Sequence, residues 1–187
     1  MANRIQTVMH PGALIVLFLG VSAARAVSVG STEELIEAVN SGETGAHIEL
    51  AAGIYRISAP LTPSDGMTIT GAGAGETILV PAASWHRDTS SLKDGGVDPS
   101  TIDHSAYLFD LGSKTKRVTI AEMTLDGNRA LHGVLFGDNC DSLTLHDLVV
   151  TKCIWSGIRT FRMSDARIHD NEFVDAGGRH GHSGGAL

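Results

Sequence analysis

One short phrase recurs three times in the middle of this chain, and its period limits what the chain can fold into. The copies are Val118-Thr-Ile120-Ala-Glu-Met123-Thr-Leu125, Leu143-Thr-Leu145-His-Asp-Leu148-Val-Val150 and Ala166-Arg-Ile168-His-Asp-Asn171-Glu-Phe173, stepped by 25 and then 23 residues. In the last two, His146-Asp147 returns as His169-Asp170. A weaker phrase precedes them, His132-Gly133-Val134-Leu135 and then Ser156-Gly157-Ile158-Arg159. A fixed period of this size marks a repeat architecture. Within each copy apolar and polar residues alternate, which is the strand period of two. Val118/Ile120, Leu143/Leu145 and Ala166/Ile168 face one way, and Thr119, Thr144 and Arg167 the other. Apolar spacing of three and four, the mark of helical repeats, does not occur, nor does the leucine and asparagine spacing of leucine-rich repeats. Two dozen residues suit one rung of two or three short strands. No rung buries its inner face alone, so rungs must stack. The expected core is Val118, Ile120, Leu125, Leu143, Leu145, Val150, Ile168 and Phe173.

Two stretches upstream add to this. Ile48-Glu-Leu50-Ala-Ala-Gly53-Ile-Tyr55-Arg56-Ile57 is an apolar strand followed by Gly, x, Tyr. Gly66-Met-Thr-Ile69-Thr-Gly71-Ala-Gly73-Ala-Gly75-Glu-Thr-Ile78-Leu79 is a glycine-rich second rung. From about His47 onward the chain resembles the right-handed parallel β-helix proteins of the pectate-lyase-like superfamily. The fold class is therefore all-β, a right-handed parallel β-helix (solenoid) with a short N-terminal capping helix. That helix is Ser31-Thr-Glu-Glu-Leu35-Ile36-Glu-Ala-Val39, with Ser31 or Thr32 as cap and acids in the first turn. Leu35, Ile36 and Val39 form its apolar stripe, and the resemblance implies that it plugs the open end of the solenoid.

The expected domains are a signal peptide at 1–26, a capping-helix region at 27–46 and a β-helix at 47–187. Arg4 opens the signal, Ala13-Leu-Ile-Val-Leu-Phe-Leu19 is its apolar run, and Ala24-Arg-Ala26 its cleavage site. The run is shorter than the roughly 20 residues that span a bilayer. Export is therefore expected, to a secreted or periplasmic location, with no stable membrane span after signal cleavage. Cleavage would remove two arginines and no acid, moving the formal charge from -7 to -9. Such a chain lacks the basic face of a nucleic-acid binder. The remaining length, about 160 residues, suffices for a core. Cys140 and Cys153 have no spacing that brings them to bridging distance and read as buried free thiols. No metal site is expected from them. His182-Ser183-Gly184-Gly185-Ala186-Leu187 resembles the opening of a further rung, since Ser183-Gly184 echoes Ser156-Gly157, so the β-helix is expected to be truncated at its C-terminus.

Residues 81–105 interrupt the repeat and carry Trp85 and His86. Long loops on rigid scaffolds often bind ligands; packing of Trp85 over the side of the solenoid is the other reading. Outward residues of stacked strands form a flat ladder on which an extended polymer can lie. The resemblance implies an acidic, uronate-containing polysaccharide as partner and β-elimination or C5 epimerisation as chemistry, with Ca²⁺ possible as a cofactor. Asp126-Gly127-Asn128-Arg129 resembles a segment of mannuronan C5-epimerases, although their catalytic Asp-Pro-His-Glu is absent from the chain. On its own residues the segment reads as a turn. Arg159 and Arg162 are the candidates for holding a carboxylate or sulfate. Arg179-His180-Gly181-His182 resembles the Gly-His-Gly of polygalacturonases, which makes His180 and His182 further candidates, without that family's paired aspartates. Trp85, His86 and Arg159 are the expected substrate contacts. His146 and His169, one rung apart, suit either a ladder that binds metal or shuttles protons, or simple satisfaction of turns. Asn171 suits a bend whose backbone it hydrogen-bonds. The alternative to an enzyme is a non-catalytic β-helix, namely a surface, adhesin-like or periplasmic maturation protein.

Overall fold

The structure, a computed structural model, describes residues 26–85 and 102–177. Twelve strands and one α-helix follow in the order β1 (Val27–Val29), α1 (Thr32–Asn40), β2 (His47–Leu50), β3 (Gly53–Ile57), β4 (Thr68–Thr70), β5 (Thr77–Pro81), β6 (Tyr107–Ser113), β7 (Thr119–Asp126), β8 (Gly133–Asp138), β9 (Thr144–Cys153), β10 (Ile158–Phe161), β11 (Arg167–His169) and β12 (Glu172–Ala176). Every pairing is parallel, and each joins a strand to its counterpart one turn of chain later. The chain is thus a parallel β-helix with three walls. Wall 1 is β1, β2, β4, the first half of β7, the first half of β9, and β11. Wall 2 is β3, β5, the second halves of β7 and β9, and β12. Wall 3 is β6, β8 and β10.

The interior is built of columns. Ile48, Ile69, Ile120, Leu145 and Ile168 are register partners along wall 1. Tyr55, Leu79, Leu125, Val150 and Phe173 are partners along wall 2. Leu61, Phe109, Leu135 and Ile158 follow along wall 3. Of the expected core, Val118, Ile120, Leu125, Leu143, Leu145 and Val150 are at most 2% exposed. Ile168 and Phe173 pack against the core but remain half-buried, and Ala166 is exposed. All three stand on the last described rung, which has a described neighbour on one side.

The corner between walls 1 and 2 explains the His-Asp repeat. Glu122, Asp147 and Asp170 occupy it with φ of 57°, 53° and 55°. One left-handed residue turns the strand, and a short polar side chain tolerates that conformation best among non-glycine types. Asn171 completes the last corner: its Oδ1 accepts from Leu148 N at 3.0 Å and its Nδ2 donates to the Leu145 carbonyl at 3.0 Å. Gly71 has a different cause. A Cβ there would lie 2.2 Å from the Glu122 carbonyl oxygen, so only glycine lets the two rungs close.

Helix α1 closes the N-terminal side as expected. Ser31 is its N-cap, accepting from Glu34 N, and Leu35 and Val39 are buried in the core. Tyr55 explains the Gly-x-Tyr signal: its hydroxyl lies 3.0 Å from both the Val29 and Ala51 carbonyls, tying the first two rungs together. Cys140 and Cys153 are buried free thiols; burial raises both, Cys153 to about 12. No helix among the described residues is long and apolar enough to cross a membrane.

Candidate functional site

The outer face of wall 3 gathers more chemistry than any other described surface. Its elements come from three rungs. Asp110 on β6 pairs with Phe136 on β8, which pairs with Arg159 on β10, so the three stand side by side in one outward column, in which Phe136 is itself covered at 1% exposure. Phe109, Leu135 and Ile158, their neighbours in the chain, pair on the inner side of the same strands. Parallel strands stand about 4.8 Å apart. The column therefore spans roughly 10 Å across two strand spacings.

Around that column the side chains interlock. The Arg159 guanidinium carbon lies 5.3 Å from the Phe161 ring centre and 6.0 Å from that of Trp155. Both distances fall within the range of cation–π attraction. Trp155 stacks on His132 at 4.5 Å, one rung before it. His132 meets the edge of Tyr107, whose ring contacts Phe136. Tyr107 is 1% exposed, and burial pushes its hydroxyl up to about 12, the neighbouring Arg159 opposing the rise. Gly133 permits this packing. A Cβ there would lie 2.2 Å from the Ser156 carbonyl and 3.0 Å from the Tyr107 ring. That close approach accounts for Gly133; at Gly157 a Cβ would instead lie 2.7 Å from Val150 Cγ1 and 3.1 Å from the Phe173 ring.

Just before β6, a single 3-10 turn, His104–Ala106, is capped by Asp103, whose Oδ1 accepts from Ser105 N. The turn lays the His104 ring edge-on over Phe136, with centres 4.9 Å apart. His104 Nδ1 is 2.8 Å from Asp110 Oδ2, and Asp110 Oδ1 accepts from Gly112 N at 2.8 Å. His104 is half exposed at 49% and Asp110 mostly covered at 13%.

The sequence candidates fall in different places. Arg159 is at the centre of this face. Arg162 lies at its end with its fork already engaged: Nε donates to Asp138 Oδ1 at 2.9 Å and an Nη to Oδ2 at 2.5 Å, across one rung. Trp85 packs against the core, and its indole N–H donates to the Ser105 carbonyl at 2.9 Å, beside the His104 turn. His86, His180 and His182 lie outside the described residues. Asp126 caps its own turn, accepting from Asn128 N at 2.7 Å, and pairs with Lys152 at 2.6 Å; Asn128 and Arg129 both have positive φ. Those contacts are what a turn requires.

His104, Asp110, Tyr107 and His132 were not among the sequence candidates. A signal for part of the group was present. Asp110, Phe136 and Arg159 are separated by 26 and then 23 residues. The weaker phrase therefore extends one rung upstream, to Leu108-Phe109-Asp110.

The corner of walls 1 and 2 contrasts with this face. His146 and His169 stack at 5.3 Å with planes 2° apart, and each Nδ1 bonds the carboxylate of the next residue, Asp147 or Asp170. Parallel rings at that spacing aim their Nε2 lone pairs side by side instead of at one ion. An adjoining groove is lined by Glu122, Asp147, Asp170 and Glu172. Among the described residues, no three His, Cys, Asp or Glu groups converge as metal ligands require. On wall 3 the carboxylates of Asp110 and Asp138 are already taken up by His104 and Arg162. Among the described residues, these donor sets do not fit the Ca²⁺ that the resemblance leaves possible.

No protein-family model matches the chain. Over 92 residues it is 35% identical to the mannuronan C5-epimerase AlgE5 of Azotobacter vinelandii, a match covering 46% of this chain and 8% of the relative. Over 132 residues it is 28% identical to a UDP-N-acetylglucosamine 1-carboxyvinyltransferase of Novosphingobium aromaticivorans, covering 68% of this chain and 30% of the relative. The chain thus spans less than a tenth of the length of the epimerase it matches. In fold it is similar to ORF18 of Geobacillus virus E2, with a TM-score of 0.52 at 17% identity over 71% of this chain and 27% of the other. Its stacked walls and the epimerase similarity make the chain a β-helix protein of the pectate-lyase-like type.

Proposed function

We propose that this chain is an exported, carbohydrate-active β-helix protein that acts on an acidic, uronate-containing polysaccharide across the outer face of wall 3. One observation carries the reading: Arg159 stands between aromatic rings in an outward column that crosses three rungs. Aromatic faces suit the apolar faces of sugar rings. A guanidinium with five donors can keep its protein contacts and still take a carboxylate in a bidentate pair. The direction of the column suits an extended polymer. The acidic groove at the other corner does not, because Glu122, Asp147, Asp170 and Glu172 would repel a polyanion.

The chemistry that follows from this face is proton abstraction at C5, beside the uronate carboxylate. A cation on that carboxylate makes the proton more acidic by stabilising the charge that develops when it leaves. Expulsion of the C4 oxygen then gives β-elimination, and return of a proton from the opposite side gives C5 epimerisation. The similarity to a mannuronan C5-epimerase supports the polymer class and favours epimerisation. The missing Asp-Pro-His-Glu is the one observation favouring a non-catalytic binder.

The test is calorimetric titration of the full chain with polymannuronate, pectate and a neutral glucan. It is run beside NMR of C5–H exchange in D₂O and absorbance in the unsaturated-uronate band. Binding to the polyuronates alone, with exchange at C5, is the expected result. Equal affinity for the neutral glucan, or no binding at all, would overturn the reading.

A further inference from the structure

We infer that His104, held by Asp110, is the base that removes the C5 proton at this face. The inference rests on the polyuronate reading above and assigns the reacting group within it. Other groups near Arg159 are unsuited to the task. Tyr107 is buried and keeps its proton far above neutral pH. His132 is 6% exposed, with one side of its ring against Trp155. The Asp138 carboxylate is taken up by the Arg162 fork.

His104 is placed differently. It is half exposed, and its Nδ1 points at the Asp110 carboxylate. An ionised carboxylate accepts from Nδ1–H, which fixes the tautomer and leaves the Nε2 lone pair as the basic position. Asp110 is itself fixed by the Gly112 amide. The ring leans over Phe136, the residue between Asp110 and Arg159 in the column. Phe136 is itself buried, at 1% exposure, so it serves as the packed spacer that sets base and carboxylate-binding cation on either side of it.

In the step, the C5–H bond breaks, the proton passes to Nε2, and the electron pair moves into the carboxylate held by Arg159. The imidazolium is stabilised by Asp110. In elimination the pair returns to form the C4–C5 double bond as the C4–O bond breaks, and the leaving oxygen takes a proton from water. In epimerisation water supplies the new C5 proton from the other side, and His104 loses its own to solvent.

The experiment compares wild type, His104→Gln and Asp110→Asn in polymannuronate binding and in C5–H exchange. General bases contribute about 10²- to 10⁴-fold. His104→Gln should lose exchange by about that factor while its Kd stays within about twofold. Asp110→Asn should lower kcat with KM unchanged, since it disturbs only the orientation of the ring. Because His104 is half exposed, His104→Gln should melt like wild type. Undiminished exchange in His104→Gln, or a wild type that binds without exchange, overturns the base assignment and leaves the binding reading standing. A wild type that binds no polyuronate overturns both.

Discussion

Wall 3 and the corner of walls 1 and 2 are decorated by similar residue types on one scaffold, yet they are organised differently. At the corner, each histidine bonds the aspartate that follows it directly, so the polar contact closes within its own rung and only the flat ring faces meet across rungs. On wall 3, pairs within a rung such as His104–Asp110 are joined by contacts between rungs: Arg162 to Asp138, Trp155 to His132, and Asp110 beside Phe136 beside Arg159. A pair closed between neighbours in the chain satisfies a turn and leaves little for a ligand. Side chains that reach across rungs cover each other, exclude water and build a surface as long as a polymer segment. Repetition alone is therefore a poor guide to a site in a solenoid. The most repetitive residues, His-Asp, mark the corner, and the less repetitive ones mark the face.

If the contrast lies only in the decoration, the interior below both regions should be equally costly to damage. Leu145→Ala under the corner should cost about 2–5 kcal/mol and Phe109→Ala under wall 3 about 3–5 kcal/mol, read from urea unfolding. A change at either position that proved neutral would mean that the columns do not carry the fold there. The faces themselves should separate in binding. Losing a charge-assisted hydrogen bond of about 1.5–3 kcal/mol, Arg159→Ala should weaken polymannuronate binding by roughly 10- to 100-fold. Asp147→Asn should leave it unchanged or slightly tighter. An equal loss in both would erase the distinction.

Alkaline titration sharpens the contrast further. The Tyr107 hydroxyl and the Cys153 thiol are both raised by burial, to about 12. A raised acid favours the folded state while it stays protonated. Its contribution is full below the unfolded value, 10 for Tyr and 9 for Cys, and is lost as pH rises through about 12. Stability should therefore fall between pH 9 and 12, and Tyr107→Phe should flatten the upper part of that fall. An unaltered profile would place the Tyr107 hydroxyl in water. The smallest effect belongs to the corner: His169→Ala, at an exposed ring, should shift stability by no more than about 0.5 kcal/mol.

The sequence made the walls readable because an inward column repeats its residue type at every rung. Ile120, Leu145 and Ile168 announce themselves, and Asn171 and Tyr55 carry side chains that suit few other places. The site was only half legible. Arg159 could be picked out as an outward cation, but His104 and Asp110, set beside it across Phe136, come from the first rung of wall 3, where the chain returns from a stretch with little alternation. Asp110 has the right spacing, yet Leu108-Phe109-Asp110 shares no residue type with Ile158-Arg159 beyond its apolar members. His104 is reached only through a turn whose geometry the pattern of hydrophobicity does not encode. Arg162 looked like Arg159 from its neighbours, and only the structure shows Asp138 in its fork.

The register of the walls also has a kinetic side. Most partners are separated by one rung, as Ile120 is from Leu145, so the chain closed at each step stays short whatever the number of rungs. The stretch between β5 and β6 is the exception, since Ile69 pairs with Ile120, 51 residues on. Doubling a closed loop costs only about 0.6 kcal/mol in chain entropy. A rung can thus carry an insertion as long as itself at little thermodynamic cost, with the delay falling on the one closure that must wait for it. Folding that starts in the rungs of β7 to β10 and reaches β4 late is the order this arithmetic favours, and the residues that set His104 over wall 3 would be among the last to find their place.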